Sequence, residues 1–202
     1  KYLALIESGL ENVISPSGAA GFWQIMEFTG KEYNLEINSE VDERYHLEKA
    51  TEVACQYLQE AYNEFGSWTM TAASYNMGKN GIQEIITQQE SNNYYNLYLN
   101  TETSAYIFRI LAIKEILQQP KKYGFIIRNK DLYSFEVTKE IILKEEDVQL
   151  TLYVKKIGIN YKILKTYNPW LRQERLTNSD KKEYRIKIPV DTEDIMFKNF
   201  KK

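Results

Sequence analysis

The sequence predicts an α+β chain in two unequal parts, a mainly helical region over residues 1–122 and a small α+β region over residues 133–202. Three observations carry this. Ala50, Val53, Ala54, Tyr57, Leu58, Ala61, Tyr62 and Phe65 recur at the helical period. Residues 101–117 read as a second long helix, with Pro120 just past its end. After Lys121 the pattern changes to short alternating runs rich in β-branched and aromatic residues, at 125–127, 135–138 and 184–189.

Taken in order, residues 1–8 form an apolar helical run that Gly9 stops. Residues 12–21 hold Pro16, Gly18 and Gly21 and read as a loop. A helix is expected over residues 22–33, with Gln24 one turn inside it, and residues 34–46 are polar and irregular. The helix over 47–65 ends at Gly66. Residues 68–75 are nearly all small and apolar, the mark of a buried helix, and Asn76-Met77-Gly78 breaks it. A short helix follows over 81–88, and the long helix over 101–117 takes Thr101 or Thr103 as its cap. In the second part, strand pattern within 123–143 precedes two short helices over 148–156 and 161–167. Gly158 separates them, Asn168-Pro169 stops the second, and 184–189 alternates as a strand. The boundary between the parts falls near 121–132.

Composition excludes several classes. A chain of 202 residues, 43% hydrophobic and 27% charged, can bury a core and is not disordered. A net charge of -2 excludes a nucleic-acid binder that relies on bulk attraction to phosphate. No apolar run approaches the ~18 residues of a transmembrane helix. With one Cys and one His no Cys/His metal site is expected. Cys55 and His46 make a nucleophile pair on paper, but Cys55 reads as a small packing residue of its helix. The 16 Tyr residues suit sugar binding and equally suit half-buried surfaces. The first residues read as the interior of a helix with no cap before it, so preceding residues are expected. An export signal or lipid anchor would lie there.

The sharpest candidate for chemistry is Glu7, at the end of the apolar run Leu3-Ala4-Leu5-Ile6 and followed by Ser8-Gly9. A carboxyl there, facing a cleft, is poorly solvated, and desolvation raises its pKa so that it can deliver a proton near neutral pH. Three further segments present polar groups at element ends. Gly18-Ala19-Ala20-Gly21-Phe22-Trp23-Gln24-Ile25 is a glycine loop carrying an amide. Ala73-Ser74-Tyr75-Asn76-Met77-Gly78 ends a buried helix on a hydroxyl and an amide. Glu102-Thr103-Ser104-Ala105-Tyr106 opens the long helix.

Together, in this order, these segments resemble the lytic transglycosylases of the lysozyme-like (SLT) superfamily, most of all the membrane-bound lytic murein transglycosylase D type. The family's Glu-Ser stands as Glu7-Ser8 and its Gly-x-x-Gln-Ile as Gly21-Phe22-Trp23-Gln24-Ile25. Its Ala-Tyr-Asn-x-Gly stands as Ser74-Tyr75-Asn76-Met77-Gly78 and its Glu-Thr-x-x-Tyr as Glu102-Thr103-Ser104-Ala105-Tyr106. Ser74 replaces the usual Ala, and Glu27 stands where Pro is common. Gln119-Pro120-Lys121-Lys122-Tyr123-Gly124 is similar to the D-type exit from this domain. Residues 133–190 resemble a divergent LysM-type module, with an opening longer and more acidic over 139–147 than the family's tight turn.

The resemblance implies a lysozyme-like catalytic domain followed by a LysM-like one. It implies non-hydrolytic cleavage of the β-1,4 bond between N-acetylmuramic acid and N-acetylglucosamine, in the bacterial cell envelope, in the periplasm or at the outer membrane. Glu7 is then the catalytic acid. Ser8, Gln24, Tyr75, Asn76 and Tyr106 bind substrate, and Gly21, Trp23, Gly78 and Glu102 support them. The partner is the peptidoglycan glycan strand, and no metal or organic cofactor is expected. Two alternatives stay open: a goose-type-like hydrolytic lysozyme with Asp42 or Glu102 helping to activate water, and a wall-binding protein without activity. The LysM-like part reads equally as a glycan binder or as a brace for the first domain.

Overall fold

The computed structural model describes residues 1–133 and 136–190. Phe135, within one expected strand run, and residues 191–202 of the expected second part lie outside the described residues.

The first part is an assembly of helices. α1 (Tyr2–Ser8) ends where Gly9 adopts φ 65° and its N–H returns to the Leu5 carbonyl. α3 (Leu47–Phe65) ends in the same way at Gly66. α4 (Trp68–Met77) lies at the centre, against α3, α5 (Lys79–Gln89) and α6 (Thr101–Gln118), while α1 packs on α6. Its small residues make this central place accessible: Thr71, Ala73 and Ser74 are fully buried. Their hydroxyls bond back within the helix, Thr71 Oγ1 to the Ser67 carbonyl at 2.9 Å and Ser74 Oγ to the Thr71 carbonyl at 2.8 Å. Neither hydroxyl is left without an acceptor, which is why Ser is accommodated at position 74.

Three elements differ from the sequence expectation. The helix expected over 22–33 is only α2 (Glu27–Glu32); residues 21–25 form a tight turn closed by bridges of Ala20 to Ile14 and Ile25. Gln24 therefore sits in a turn at φ 49°, not inside a helix. Glu27, where Pro is common, opens α2 and pairs with Lys31 one turn on, at 2.5 Å. The cap of α6 is Asn100, whose Oδ1 accepts from Thr103 N at 2.8 Å, rather than Thr101 or Thr103. α4 runs through Asn76 and Met77 before Gly78, at φ 86°, turns the chain into α5.

In the second part, β1 (Thr138–Leu143) pairs antiparallel with β4 (Tyr184–Pro189), and β2 (Asp147–Gln149) with β3 (Arg175–Thr177). α7 (Leu150–Lys156) and α8 (Tyr161–Tyr167) lie between β2 and β3 in sequence. β2 takes the residues read as the start of the first helix, and residues 125–127, read as strand, are exposed coil. β4 buries Tyr184, Ile186 and Ile188 and turns Arg185 and Lys187 outward, as a period of two requires.

The two parts share a core. Ala20, Val41 and Tyr45 join the cluster built by Leu143, Leu150, Leu164, Trp170, Leu176 and Ile186. The backbone closes the seam as well, with Asp42 N on the Trp170 carbonyl at 2.9 Å and Arg172 N on the Glu40 carbonyl at 2.7 Å. Side chains add Tyr184 Oη to Glu36 Oε1 at 3.0 Å and the Lys187–Glu48 ion pair. The polar, irregular run 34–46 is thus a packed connector. Glu43 and Arg44 are buried, and Arg44 spans Asp42 and the Gly18 carbonyl.

Candidate active site

Glu7 sits at the C-terminal end of α1, where the α1–α6 packing half-buries it. Tyr106, buried on α6, donates its hydroxyl to Glu7 Oε1. Burial pushes the Glu7 carboxyl above its ordinary pKa. The Tyr106 hydrogen bond opposes this, the nearby charge of Glu102 adds to it, and Arg109 opposes it more weakly. With Oε1 occupied by Tyr106, Oε2 is the oxygen left to carry a transferable proton. Burial, with the Glu7 charge beside it, also drives Tyr106 upward, so its phenol stays protonated and acts as a donor.

A cavity of about 250 Å³ is lined by Gln24, Tyr57, Tyr75, Asn76, Met77 and Gly78 among others; Glu7, Ser8 and Tyr106 are not part of its lining. Tyr75 links the acid to the cavity, because it lines the cavity and its hydroxyl feels the Glu7 charge. That hydroxyl donates to the Trp23 carbonyl at 2.7 Å, pinning α4 to the glycine loop. Asn76 is held from two sides: Thr103 Oγ1 donates to its Oδ1 at 2.8 Å, and its Nδ2 donates to Glu102 Oε1 at 3.1 Å. One Asn76 N–H remains for a ligand. Gln24 donates through Nε2 to the carbonyls of Gly21 (2.8 Å) and Val13 (3.1 Å), which leaves its Oε1 as an acceptor.

The other residues singled out in the sequence serve the frame. Ser8 Oγ donates to the Phe22 carbonyl at 2.8 Å, tying α1 to the glycine loop. Trp23 is buried and donates from Nε1 to Thr51 Oγ1 at 2.7 Å. Gly21 has φ 77°, and a Cβ there would stand 2.0 Å from the Arg44 carbonyl oxygen. Thr103 and Arg44 were not among the sequence candidates. Thr103 reads as a helix cap but is fully buried and orients Asn76. Arg44 lies in the run read as polar and irregular but supports the glycine loop through the Gly18 and Ile25 carbonyls, and single-sequence pattern carries no signal for that.

Two candidates are corrected. Asp42, offered as a second carboxylate, is buried against Arg44, which donates to both of its oxygens, so it belongs to the seam. Cys55 is exposed rather than a packing residue. His46 precedes α3 while Cys55 lies nine positions further along it, about 13 Å at the helical rise, too far to pair. Glu102, by contrast, is at the site, bound to Asn76 and within reach of Glu7.

A helical fold with one desolvated carboxyl linked through Tyr75 to a polar cavity, joined to a small α+β module, defines a class that the family comparisons match. Residues 1–98 match the transglycosylase SLT domain and residues 139–192 the soluble lytic transglycosylase C-terminal LysM-like domain. The chain carries an SLT transglycosylase domain followed by a LysM-like domain. Its relatives include the membrane-bound lytic murein transglycosylase D of Escherichia coli K12 and that of Escherichia coli O6:H1. Each is 28% identical over 180 residues, covering 86% of this chain. The chain spans 39% of the length of these relatives. Among the described residues, no helix is long and apolar enough to cross a membrane.

Proposed function

We propose that this chain is the catalytic portion of a peptidoglycan lytic transglycosylase acting in the bacterial cell envelope, with residues 1–122 as the catalytic domain and 133–202 as the LysM-like one. The observation that carries this is the desolvated Glu7, held by Tyr106 and linked through Tyr75 to the cavity that Gln24 and Asn76 line. The substrate is the β-1,4 bond from N-acetylmuramic acid to N-acetylglucosamine. Glu7 gives its proton to the leaving oxygen as the bond to C1 breaks. The carboxylate then takes the proton of the muramyl 6-hydroxyl as that oxygen closes on C1, giving a 1,6-anhydro end with no water consumed. The substrate's acetamido group stabilises the cationic centre between the two steps. Gln24 Oε1 and the remaining Asn76 N–H hold the sugar and its N-acetyl group, and Tyr75 forms the wall. Acid and base are one group, so a second carboxylate is not needed. The periplasm or outer membrane is the expected setting.

Release of soluble muropeptides from isolated peptidoglycan by the purified chain tests the reading; intact peptidoglycan after prolonged incubation would overturn it.

The charges around Glu7 give opposing pH predictions. The basic limb of the activity–pH profile follows loss of the Glu7 proton. Glu102→Gln removes a charge that raises the Glu7 pKa, so the limb should move to lower pH. Tyr106→Phe removes a hydrogen bond that lowers it, so the limb should move to higher pH. Initial rates across pH for the two variants check this, and shifts in the same direction would contradict the assignment. Because Glu102 orients Asn76, Glu102→Gln should also slow turnover without changing the product.

A further inference from the structure

The seam between the two domains contains a second cavity, of about 200 Å³, which the proposed reaction does not use. Its walls come from both sides: Asn12, Phe22 and His46 from the first domain, Thr166, Tyr167 and Lys187 from the second. Trp170 stands behind His46, with ring centroids 5.8 Å apart. We propose that this seam cavity is a second saccharide site, binding an N-acetylhexosamine of the glycan strand away from the bond that Glu7 cleaves. The proposal rests on the reading that the chain acts on glycan strands.

Four features point to a sugar. The walls combine ring faces with small polar groups, and a pyranose presents an apolar C–H face and a hydroxyl edge to such a surface. Asn12 and Thr166 are exposed at the rim, where their amide and hydroxyl can meet sugar hydroxyls or an acetamide. The charges of the lining are also balanced: Lys187 and Glu48 pair with each other, and neighbouring Lys49 pairs with Glu43, while the Arg172 guanidinium, outside the lining, lies over the Tyr45 ring. Burial lowers the His46 pKa, so its imidazole is uncharged at neutral pH. A balanced site suits an uncharged ring better than a phosphate or an acidic peptide. Finally, His46 Nδ1 is buried and has no hydrogen-bond partner among the described residues; it lies 3.3 Å from Glu48 Oε2 without the geometry of a bond. A buried polar atom of this kind is costly until a ligand or solvent group satisfies it.

The cavity is also tied to the catalytic region through the glycine loop and the loop before it. Phe22, in its wall, accepts from Ser8 Oγ through its carbonyl, and Ser8 follows Glu7 directly. Asn12 lies on the loop whose Val13 carbonyl accepts from Gln24. A strand lying over this loop meets both sites, so the LysM-like domain contributes to substrate binding through the seam it forms with the first domain.

His46 is the only histidine in the chain, so its ring proton signals report on this cavity alone. The experiment titrates Glu7→Gln protein, which cannot cleave, with β-1,4 oligomers of N-acetylglucosamine while the His46 ring signals and the Gln24 and Asn76 side-chain amide signals are followed. Saturable shifts are expected at both places. Thr166→Trp, which fills the rim from an exposed position, should weaken the affinity read at His46 by about tenfold or more while the Gln24 and Asn76 shifts persist. Asn12→Ala gives a milder version that leaves the core untouched. Shifts at Gln24 and Asn76 with His46 unmoved would overturn the seam site and leave the proposed activity standing. No shift at either place would overturn both. A His46 response to a short acidic peptide but not to the sugar oligomers would overturn the saccharide assignment.

Discussion

Glu7→Gln is expected to lower peptidoglycan cleavage by roughly 10²–10⁴-fold or more, because the same carboxyl gives the first proton and takes the second. Gln keeps an oxygen to accept from Tyr106 and fills the same space, but it moves no proton. Sedimentation with intact peptidoglycan should show undiminished binding, since Gln24, Tyr75 and Asn76 are unchanged. The substitution also has a stability signature. The folded protein holds the Glu7 pKa above its ordinary value because burial disfavours the charge. The stability Glu7 contributes is therefore fully present below the ordinary carboxylate range and is lost as pH rises through its folded pKa. The Gln variant should match wild type in thermal midpoint at low pH and exceed it above that range. Activity within a few-fold of wild type would remove Glu7 from the chemistry.

Gly21→Ala should be the most damaging conservative substitution in the glycine loop. The backbone there is left-handed, and the added methyl would stand 2.0 Å from the Arg44 carbonyl oxygen. A left-handed alanine costs about 1–2 kcal/mol and forced overpacking about 1–3 kcal/mol, so a loss of about 2–5 kcal/mol is expected in chemical denaturation. Arg44 cannot retreat freely, because its guanidinium bonds Asp42 and the Gly18 carbonyl. The displaced loop carries Gln24 and the Trp23 carbonyl that holds Tyr75, so the fraction that folds should also cleave poorly. Gly18→Ala is the comparison: φ is 86° there too, but no atom lies within 4 Å of the added methyl, so only the backbone term applies.

Residues with local causes were legible in the sequence. Gly9 and Gly66 end helices because each takes the left-handed conformation at a helix end, and the α3 stripe follows from spacing alone. Contacts that depend on distant chain were not legible. Asn100 caps α6 where Thr101 and Thr103 were equally good on local grounds, and Thr103 is drawn into the core by Asn76, 27 positions away. The run 34–46 read as polar and irregular, yet Asp42, Glu43 and Arg44 are buried, with Asp42 N held by the Trp170 carbonyl of the second part and Arg44 by the carbonyls of Gly18 and Ile25. Cys55 looked like a packing residue because it lies one position from the apolar stripe, and one position turns a helical side chain by about 100°. At the site, the segments holding Glu7, Gln24, Tyr75, Asn76 and Tyr106 could be picked out and ordered. That Ser8, Trp23 and Gly21 are engaged mainly in holding the loop was not legible, because it depends on partners 14 to 28 positions distant.

The central claim is that one carboxyl cleaves the glycan without admitting water. Mass spectrometry of the muropeptides released from peptidoglycan by the wild-type protein tests it most directly. The account predicts products ending in 1,6-anhydro-N-acetylmuramic acid, one water lighter than the hydrolysed form and inert to borohydride. Products ending in reducible N-acetylmuramic acid, and lost in Glu102→Gln, would contradict it and identify a hydrolase in which Glu102 activates water.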